Sequence, residues 1–226
     1  MSACSASRLN GGASVRSGVR RDLGDSAHAF LDVVVPAIRP LIGGGRIEPV
    51  ENSVDKGLKH DLDVLAGIDG WQMQDSEGRM RGLASRVQWR DASWQTFTIR
   101  RERENGNKTE WEKRLRAFLH PEAGWLLPAL TIQAYFTLPK PGGELIDAAV
   151  VRTADLYGYA IRNPCRNPRW NYTDGPGRAV QLDWYRWADL RRDGIQVGIV
   201  DVRSPPEQAA LFSVADLSAN QGDRTD

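Results

Sequence analysis

The sequence predicts an α/β (α+β) fold in which a central mixed sheet is flanked by helices. Three observations predict it. An apolar stripe at helical spacing runs over 26–41, three strand-like segments follow between residues 64 and 103, and a second helical stripe over 109–119 precedes a strand-like segment over 130–138. Because helices and strands alternate along one continuous stretch, we expect a single layered domain.

Length and charge bound the domain organisation. The chain has 226 residues, with 30 Lys and Arg residues against 29 Asp and Glu residues. We predict a disordered segment over 1–24, one α/β domain over 25–214 and a disordered tail over 215–226, because both ends are polar and offer little to bury. A net charge of +1 gives the molecule no strong overall field. Nucleic-acid binding would therefore have to come from a local patch.

The compartment is predicted from cysteine usage and apolar runs. Cys4 and Cys165 form neither a zinc set nor a disulfide framework, which favours a reducing environment. The longest apolar stretch, 30–42, is interrupted by charged residues and prolines, and it falls short of the roughly 20 apolar residues of a membrane span. The basic opening lacks a secretory apolar run. We expect a cytoplasmic protein with no membrane partner.

The first predicted element is an amphipathic helix over 26–41 with Asp25 or Ser26 as its cap. Pro36 predicts a kink or a late start of this helix. The three glycines at 43–45 end it, and a short strand over 46–50 is expected next. The apolar residues of the stripe are Ala29, Leu31, Val34, Val35, Ile38 and Leu41.

The three following segments predict an antiparallel meander. Strands are expected over 64–74, 80–89 and 96–103, joined by a hairpin turn at 75–78 and a short connection at 90–94.

The second predicted helix begins at a capping box. Thr109 is followed three residues later by Glu112, so we predict a helix over 109–119, with its apolar stripe on Trp111, Leu115, Phe118 and Leu119. A strand over 130–138 completes a core over 26–138. A mixed C-terminal extension over 139–214 is expected to contain strands over 145–152, 179–184 and 194–202, a helix over 154–161, a helical turn over 187–191 and a loop over 163–177.

The order α-β-β-β-α-β, with Asp69 at the end of the first strand of the meander, resembles the core of the PD-(D/E)XK (restriction-endonuclease-like) superfamily. In that superfamily the first acid and an (Asp/Glu)-x-Lys triplet on the next strand bind a divalent metal and activate water. The triplet position here reads Ala84-Ser85-Arg86, so the second acid is missing. The segments Ser85–Gln88, Phe97–Arg100 and Gly106–Lys113 also resemble uncharacterised proteins of phages and mobile elements.

The resemblance implies a catalytic set of Asp69, Glu110, Lys113 and Arg86. The superfamily lets its acid and lysine migrate to the following helix, where Glu110 and Lys113 lie three residues apart on one face. Magnesium would be held by Asp69 and Glu110, with Asp61 as a further oxygen donor. The alternative interpretation makes Asp69 a turn residue and Glu110 a first-turn acid that stabilises its helix.

Arginines and aromatic residues suggest a surface for nucleic acid. Strand alternation places Arg86, Gln88 and Arg100 on one side, where forked donors suit phosphates. The loop over 163–177 adds the basic and aromatic residues Arg166, Arg169 and Trp170. The alternative is a solvated sheet face whose arginines pair with nearby glutamates, and tryptophans that belong to the core.

These features lead to one function hypothesis and one alternative. The first is a magnesium-dependent, nuclease-like hydrolase, or a catalytically degenerate relative, that acts on or binds DNA. The alternative is a non-catalytic accessory or inhibitor protein of a phage or mobile element that binds a protein partner. Phosphate-loop, dinucleotide-fingerprint and nucleophile-elbow motifs are absent from the sequence. The oligomeric state is not specified by any pattern in it.

Overall fold

The computed structural model describes residues 24–50, 67–74, 78–172 and 179–203. The predicted N-terminal segment up to residue 23, the predicted tail over 215–226 and Asp61 lie outside the described residues. The helices are α1 (24–42), α2 (Glu110–Leu119), α3 (Thr153–Arg162) and α4 (Trp187–Arg192). The strands are β1 (Arg46–Pro49), β2 (Gly70–Gln74), β3 (Arg79–Trp89), β4 (Thr96–Arg103), β5 (Leu130–Phe136), β6 (Leu145–Arg152), β7 (Arg169–Asn171), β8 (Val180–Arg186) and β9 (Val197–Asp201).

Helix α1 contains two prolines: Pro36 follows a wider turn, and Pro40 lies inside the α-helical part. Residues 24–29 are helical, Phe30–Val34 form a π-helical turn, and Val35–Ile42 continue as α-helix with Pro36 in the first turn. Proline has no backbone N–H, so it is tolerated best where the regular hydrogen-bond ladder is already interrupted. The helix ends at Gly43, whose φ of 75° suits glycine.

The central sheet has six strands in the order β1-β2-β3-β5-β6-β9. Strands β3 and β5 run parallel, with Leu83 opposite Leu130, whereas the other neighbours are antiparallel. The prediction of a mixed central sheet is therefore confirmed. Two strands of the predicted C-terminal extension, β6 and β9, belong to this same sheet.

The predicted three-stranded meander is wrong in its third strand. Strand β4 leaves the central sheet and pairs with β8 in a second sheet of order β4-β8-β7. Both faces of β4 are occupied. Thr96 hydrogen-bonds Tyr135 of β5 across the gap between the sheets, while Phe97 and Ile99 enter an apolar cluster.

Three layers enclose the core. Helix α1 packs on one face of the central sheet through the apolar side chains of Phe30, Val34, Val35, Ile38, Leu41 and Ile42. The opposite face is covered by β4, β8 and helices α2, α3 and α4, whose buried residues include Trp111, Leu156, Tyr157, Tyr185 and Trp187. In the described part of the chain, no helix is long and apolar enough to cross a membrane.

Helix α2 confirms its predicted start. The Thr109 side chain accepts from the backbone of Glu112, and the Thr109 N–H donates to the Glu112 carboxylate at 2.8 Å. Its buried face differs from the predicted stripe, because Arg114 is buried and Leu119 is 53% exposed. The capping box thus places Glu110 in the first turn of α2.

Candidate nucleic-acid interface

Glu110 lies at the centre of a network of arginines. Arg86 Nη2 donates to both carboxylate oxygens of Glu110, at 3.0 and 2.8 Å. Arg100 Nη1 lies 3.4 Å from one of the same oxygens. Burial alone favours the neutral form of Glu110, yet the charges of Arg86, Arg100 and Arg114 and the hydrogen bonds from Arg86 hold its pKa well below the ordinary value. Glu110 is therefore ionised, and its carboxylate oxygens are occupied by guanidinium partners.

Arg114 of α2 interacts electrostatically with both predicted acids. Its side chain is 6% exposed, and its Nη2 donates to the carbonyl of Gly67 at 2.8 Å. Burial disfavours charge on Arg114, but Tyr157, Glu110 and Asp69 beside it raise the pKa of this guanidinium. Asp69 and Glu110 thus share Arg114 as a neighbour. Lys113, the predicted catalytic lysine, is half-buried on the same helix.

Asp69 lies before strand β2, which begins at Gly70, and the prediction of Asp69 at a strand end is therefore wrong. The chain turns at Gly67, where φ is +63°, and this turn delays the strand. The Asp69 Oδ2 accepts the backbone N–H of Ser85 at 2.6 Å. A carboxylate tied to the neighbouring strand in this way fixes the register of the turn.

Glu110 in its observed position does not fit a magnesium ion. Both of its oxygens accept hydrogen bonds from Arg86, and a cation there would also face Arg100 and Arg114. Within the described ranges, no group of three or more His, Cys, Asp and Glu side chains is placed to hold a metal. The metal roles of Asp69, Glu110 and Asp61 stay predictions, and for Glu110 such a role requires that it leave its arginines.

A polar layer separates the two sheets beside this network. The Thr98 hydroxyl accepts from Arg86 Nη1 at 3.1 Å and from Gln88 Nε2 at 3.4 Å, and it donates to Gln133 Oε1 at 3.1 Å. The side chains of Arg86 and Gln88, predicted to contact nucleic acid, therefore hold the sheets together. Gln88 Oε1 also accepts from Arg90 Nε at 3.2 Å, which connects this layer to the surface.

Two arginines share one exposed tryptophan at the end of β3. Arg90 Cζ lies 3.5 Å from the centroid of the Trp94 ring, and Arg169 Cζ of β7 lies 5.6 Å from the same centroid. Trp94 is 43% exposed. Within the described residues, neither arginine forms an ion pair with a carboxylate. Burial and the positive charge of Arg169 lower the pKa of Arg90, despite an opposing effect of Tyr135.

The second sheet extends this surface. Arg100, Leu182 and Arg169 are register partners across β4, β8 and β7, and alternation places Trp184 and Arg186 on the same face of the sheet. Arg186 Cζ lies 5.9 Å from the Trp184 ring centroid. We call this surface the basic-aromatic face, and it consists of Arg90, Trp94, Arg100, Arg169, Trp184 and Arg186.

The remaining predicted contacts lie beside this face. The predicted loop over 163–177 contains strand β7, and the side chain of Trp170 points to the other side of that strand from Arg169. Trp170 stacks on Tyr172 with ring centroids 6.3 Å apart, and both rings are exposed. Arg166 is exposed three residues before β7 begins.

The sequence interpretation missed Arg90, Trp94, Arg186 and Arg114. A signal for some of them was present, because positions 86, 88 and 90 alternate on β3 and its exit, as positions 184 and 186 do on β8. Arg114 lies three residues after Trp111 and four before Phe118, so helical periodicity places it on the apolar stripe, and that position was the available signal.

Comparisons with protein-family models, curated proteins and solved structures gave no match.

Proposed function

We propose that this protein binds DNA through the basic-aromatic face and that it does so without metal-dependent hydrolysis at Glu110. The observation that carries the proposal is the pair Arg90 and Arg169, which share the exposed ring of Trp94 and have no carboxylate partner among the described residues. Guanidinium groups contact phosphates, and exposed aromatic rings stack on bases. Both kinds of contact occur side by side on this face.

The non-hydrolytic part of the proposal rests on Glu110. The Glu110 carboxylate neutralises Arg86 and Arg100 and holds Arg100 in place. The Arg100 side chain is 42% exposed and lies at the edge of the basic-aromatic face. This role accounts for Glu110 without a second acid on β3, where the triplet position reads Ala84-Ser85-Arg86. Glu110 then presents Arg100 to the DNA backbone.

The proposal is tested by fluorescence anisotropy with labelled single-stranded and double-stranded oligonucleotides at several salt concentrations. We expect affinity to fall linearly with salt on logarithmic axes. Arg169→Ala should reduce that slope by about one, the amount expected for one lost phosphate contact. Trp94→Ala should weaken single-strand binding by roughly 1–3 kcal/mol, the range of one aromatic stacking contact.

A matched control is available elsewhere on the molecule. Arg116 Cζ also lies 3.5 Å from a tryptophan ring, that of Trp125. This pair precedes β5, at the end of the sheet opposite to Arg90, so Arg116→Ala removes a similar contact without touching the basic-aromatic face. Equal losses in Arg116→Ala and Arg169→Ala would argue for a nonspecific charge effect. No binding of any oligonucleotide would favour the alternative of a protein partner.

Hydrolysis is tested in the same samples. Incubation with magnesium or manganese should leave oligonucleotides uncut, both for the natural protein and for Asp69→Ala. Metal-dependent cleavage that disappears in Asp69→Ala would overturn the non-hydrolytic part and restore the nuclease hypothesis.

A further inference from the structure

We propose that the Arg90 and Arg169 pair beside Trp94 binds a phosphate monoester of a nucleoside, and that its source is the phosphorylated end of a DNA strand. This inference rests on the proposed function and names the part of DNA that the basic-aromatic face recognises. The starting observation is geometric, since the two guanidinium carbons lie 3.5 and 5.6 Å from one ring centroid.

The donors available at this position exceed what the described residues use. Each guanidinium offers five N–H donors. Arg90 uses Nε toward Gln88 Oε1, and its Nη groups carry no hydrogen bond within the described residues. The exposed side chain of Arg169 on β7 likewise makes no hydrogen bond within the described residues. Among the described residues, the pair is therefore a set of oriented donors with no acceptor for most of its N–H groups.

The charge of the pair selects the class of anion. Two neighbouring guanidiniums carry two positive charges that repel each other. Burial is the main cause that lowers the pKa of Arg90, and the charge of Arg169 lowers it further. An internal phosphodiester supplies one negative charge. A phosphate monoester supplies about 1.5 to 2 negative charges at pH 7 and three acceptor oxygens. The monoester therefore matches the pair in charge and in number of acceptors.

A second arginine pair in the same protein has its positive charge neutralised by a carboxylate of the chain itself. Arg86 and Arg100 converge on the carboxylate of Glu110, which takes forked hydrogen bonds from Arg86. Arg90 and Arg169 have no comparable acid in the described chain. Since the described residues supply no acid to the second pair, an acidic ligand can serve as its acceptor.

The aromatic surroundings identify the rest of the ligand. Trp94 is 43% exposed beside the two arginines, and Trp184 lies on the same face next to Arg186. An inorganic anion would make no use of these rings, whereas a nucleoside carries a base that stacks on them. A strand end supplies the monoester and the base together.

The test compares oligonucleotides of one sequence that differ only at their ends. Affinities are measured by anisotropy for the 5′-phosphorylated, 3′-phosphorylated and hydroxyl-ended forms, and for a nucleoside monophosphate as competitor. We expect one phosphorylated end to bind about tenfold more tightly than the hydroxyl-ended form. Arg169→Ala should remove that preference, and Arg116→Ala should keep it. Arg90→Gln provides a second variant, because glutamine preserves much of the side-chain length.

The outcomes separate this inference from the proposed function. Salt-dependent binding that is equal for all three ends would overturn the inference and leave DNA binding intact. A preference that survives both Arg169→Ala and Arg90→Gln would also overturn it. Tight competition by the nucleoside monophosphate without any oligonucleotide binding would overturn both the strand end as the source and the proposed function, and only a site for a free nucleotide would be left.

Discussion

Glu110 shows how strongly a single residue depends on its partners. Its carboxylate neutralises Arg86, whose side chain is only 15% exposed. Removing one partner of such a pair leaves a charge in a poorly solvated position, which is more costly than losing the pair as a whole. A Glu110 substitution is therefore expected to lower the free energy of unfolding, whatever its effect on function.

We expect Glu110→Ala to lower the free energy of unfolding by roughly 3 kcal/mol at pH 7, because Arg86 becomes a buried unpaired charge. Glu110→Gln, which keeps an acceptor, should cost less. Urea unfolding followed by far-ultraviolet circular dichroism measures both values. The double variant Glu110→Leu with Arg86→Met is the matched control and should recover part of the loss. The two corresponding single variants, Glu110→Leu and Arg86→Met, are measured alongside it. A loss in the double variant equal to the sum of these two single losses would contradict the pairing.

The same residue predicts a dependence of stability on pH. The folded pKa of Glu110 lies below its ordinary value of 4.5, so its contribution to stability is fully present above about pH 4.5 and is lost as the pH falls toward the folded pKa. Unfolding free energies measured between pH 3 and pH 6 should therefore decline toward acid for the natural protein. The decline should be smaller in Glu110→Gln, and parallel curves for the two proteins would rule this contribution out.

Individual elements were predicted more accurately than their pairing. Strand-like alternation predicted β4 at its observed bounds, and the capping box at Thr109 predicted the start of α2. The partner of β4 was not predictable, because alternation reports which side chains share a face and does not report which strand lies alongside. Thr96 and Thr98 are buried and form the polar layer between the sheets.

The capping box at Thr109 is predicted to contribute to the stability of helix α2. Thr109→Ala removes the side-chain acceptor for the first turn and a hydrogen bond to the Arg101 carbonyl at 3.1 Å. We expect a loss of about 1–2 kcal/mol in unfolding free energy. Thr109→Ser keeps the hydroxyl and serves as the control. If both variants lose stability equally, the lost methyl group rather than the cap accounts for the effect.

At the scale of the whole molecule, the candidate site and the apolar contact of α1 with the central sheet lie on opposite sides of that sheet. Ile38 of α1 is fully buried against the sheet, whereas the basic-aromatic face lies on the side of the second sheet. The sequence predicted the apolar face of α1 and the mixed character of the sheet. It could not place the face, because that surface requires β7, β8 and the exit of β3 to meet.

This separation predicts that stability and binding can be changed independently. Ile38→Ala should lower the free energy of unfolding by roughly 2–5 kcal/mol through the cavity that it leaves. Oligonucleotide affinity of the folded variant, measured well below its unfolding midpoint, should change by less than about twofold. A parallel loss of affinity would show that α1 and the basic-aromatic face are coupled through the sheet.

The passage of the chain from one sheet to the other has a mechanical consequence. Residues 90–95 connect β3 of the central sheet to β4 of the second sheet, and Arg90 belongs to this connection while Arg169 belongs to β7. A ligand held by both arginines would act as a noncovalent cross-link between the two sheets. Ligand binding would then reduce the motion of the short outer strand β7. It would also strengthen the association of the second sheet with the central sheet.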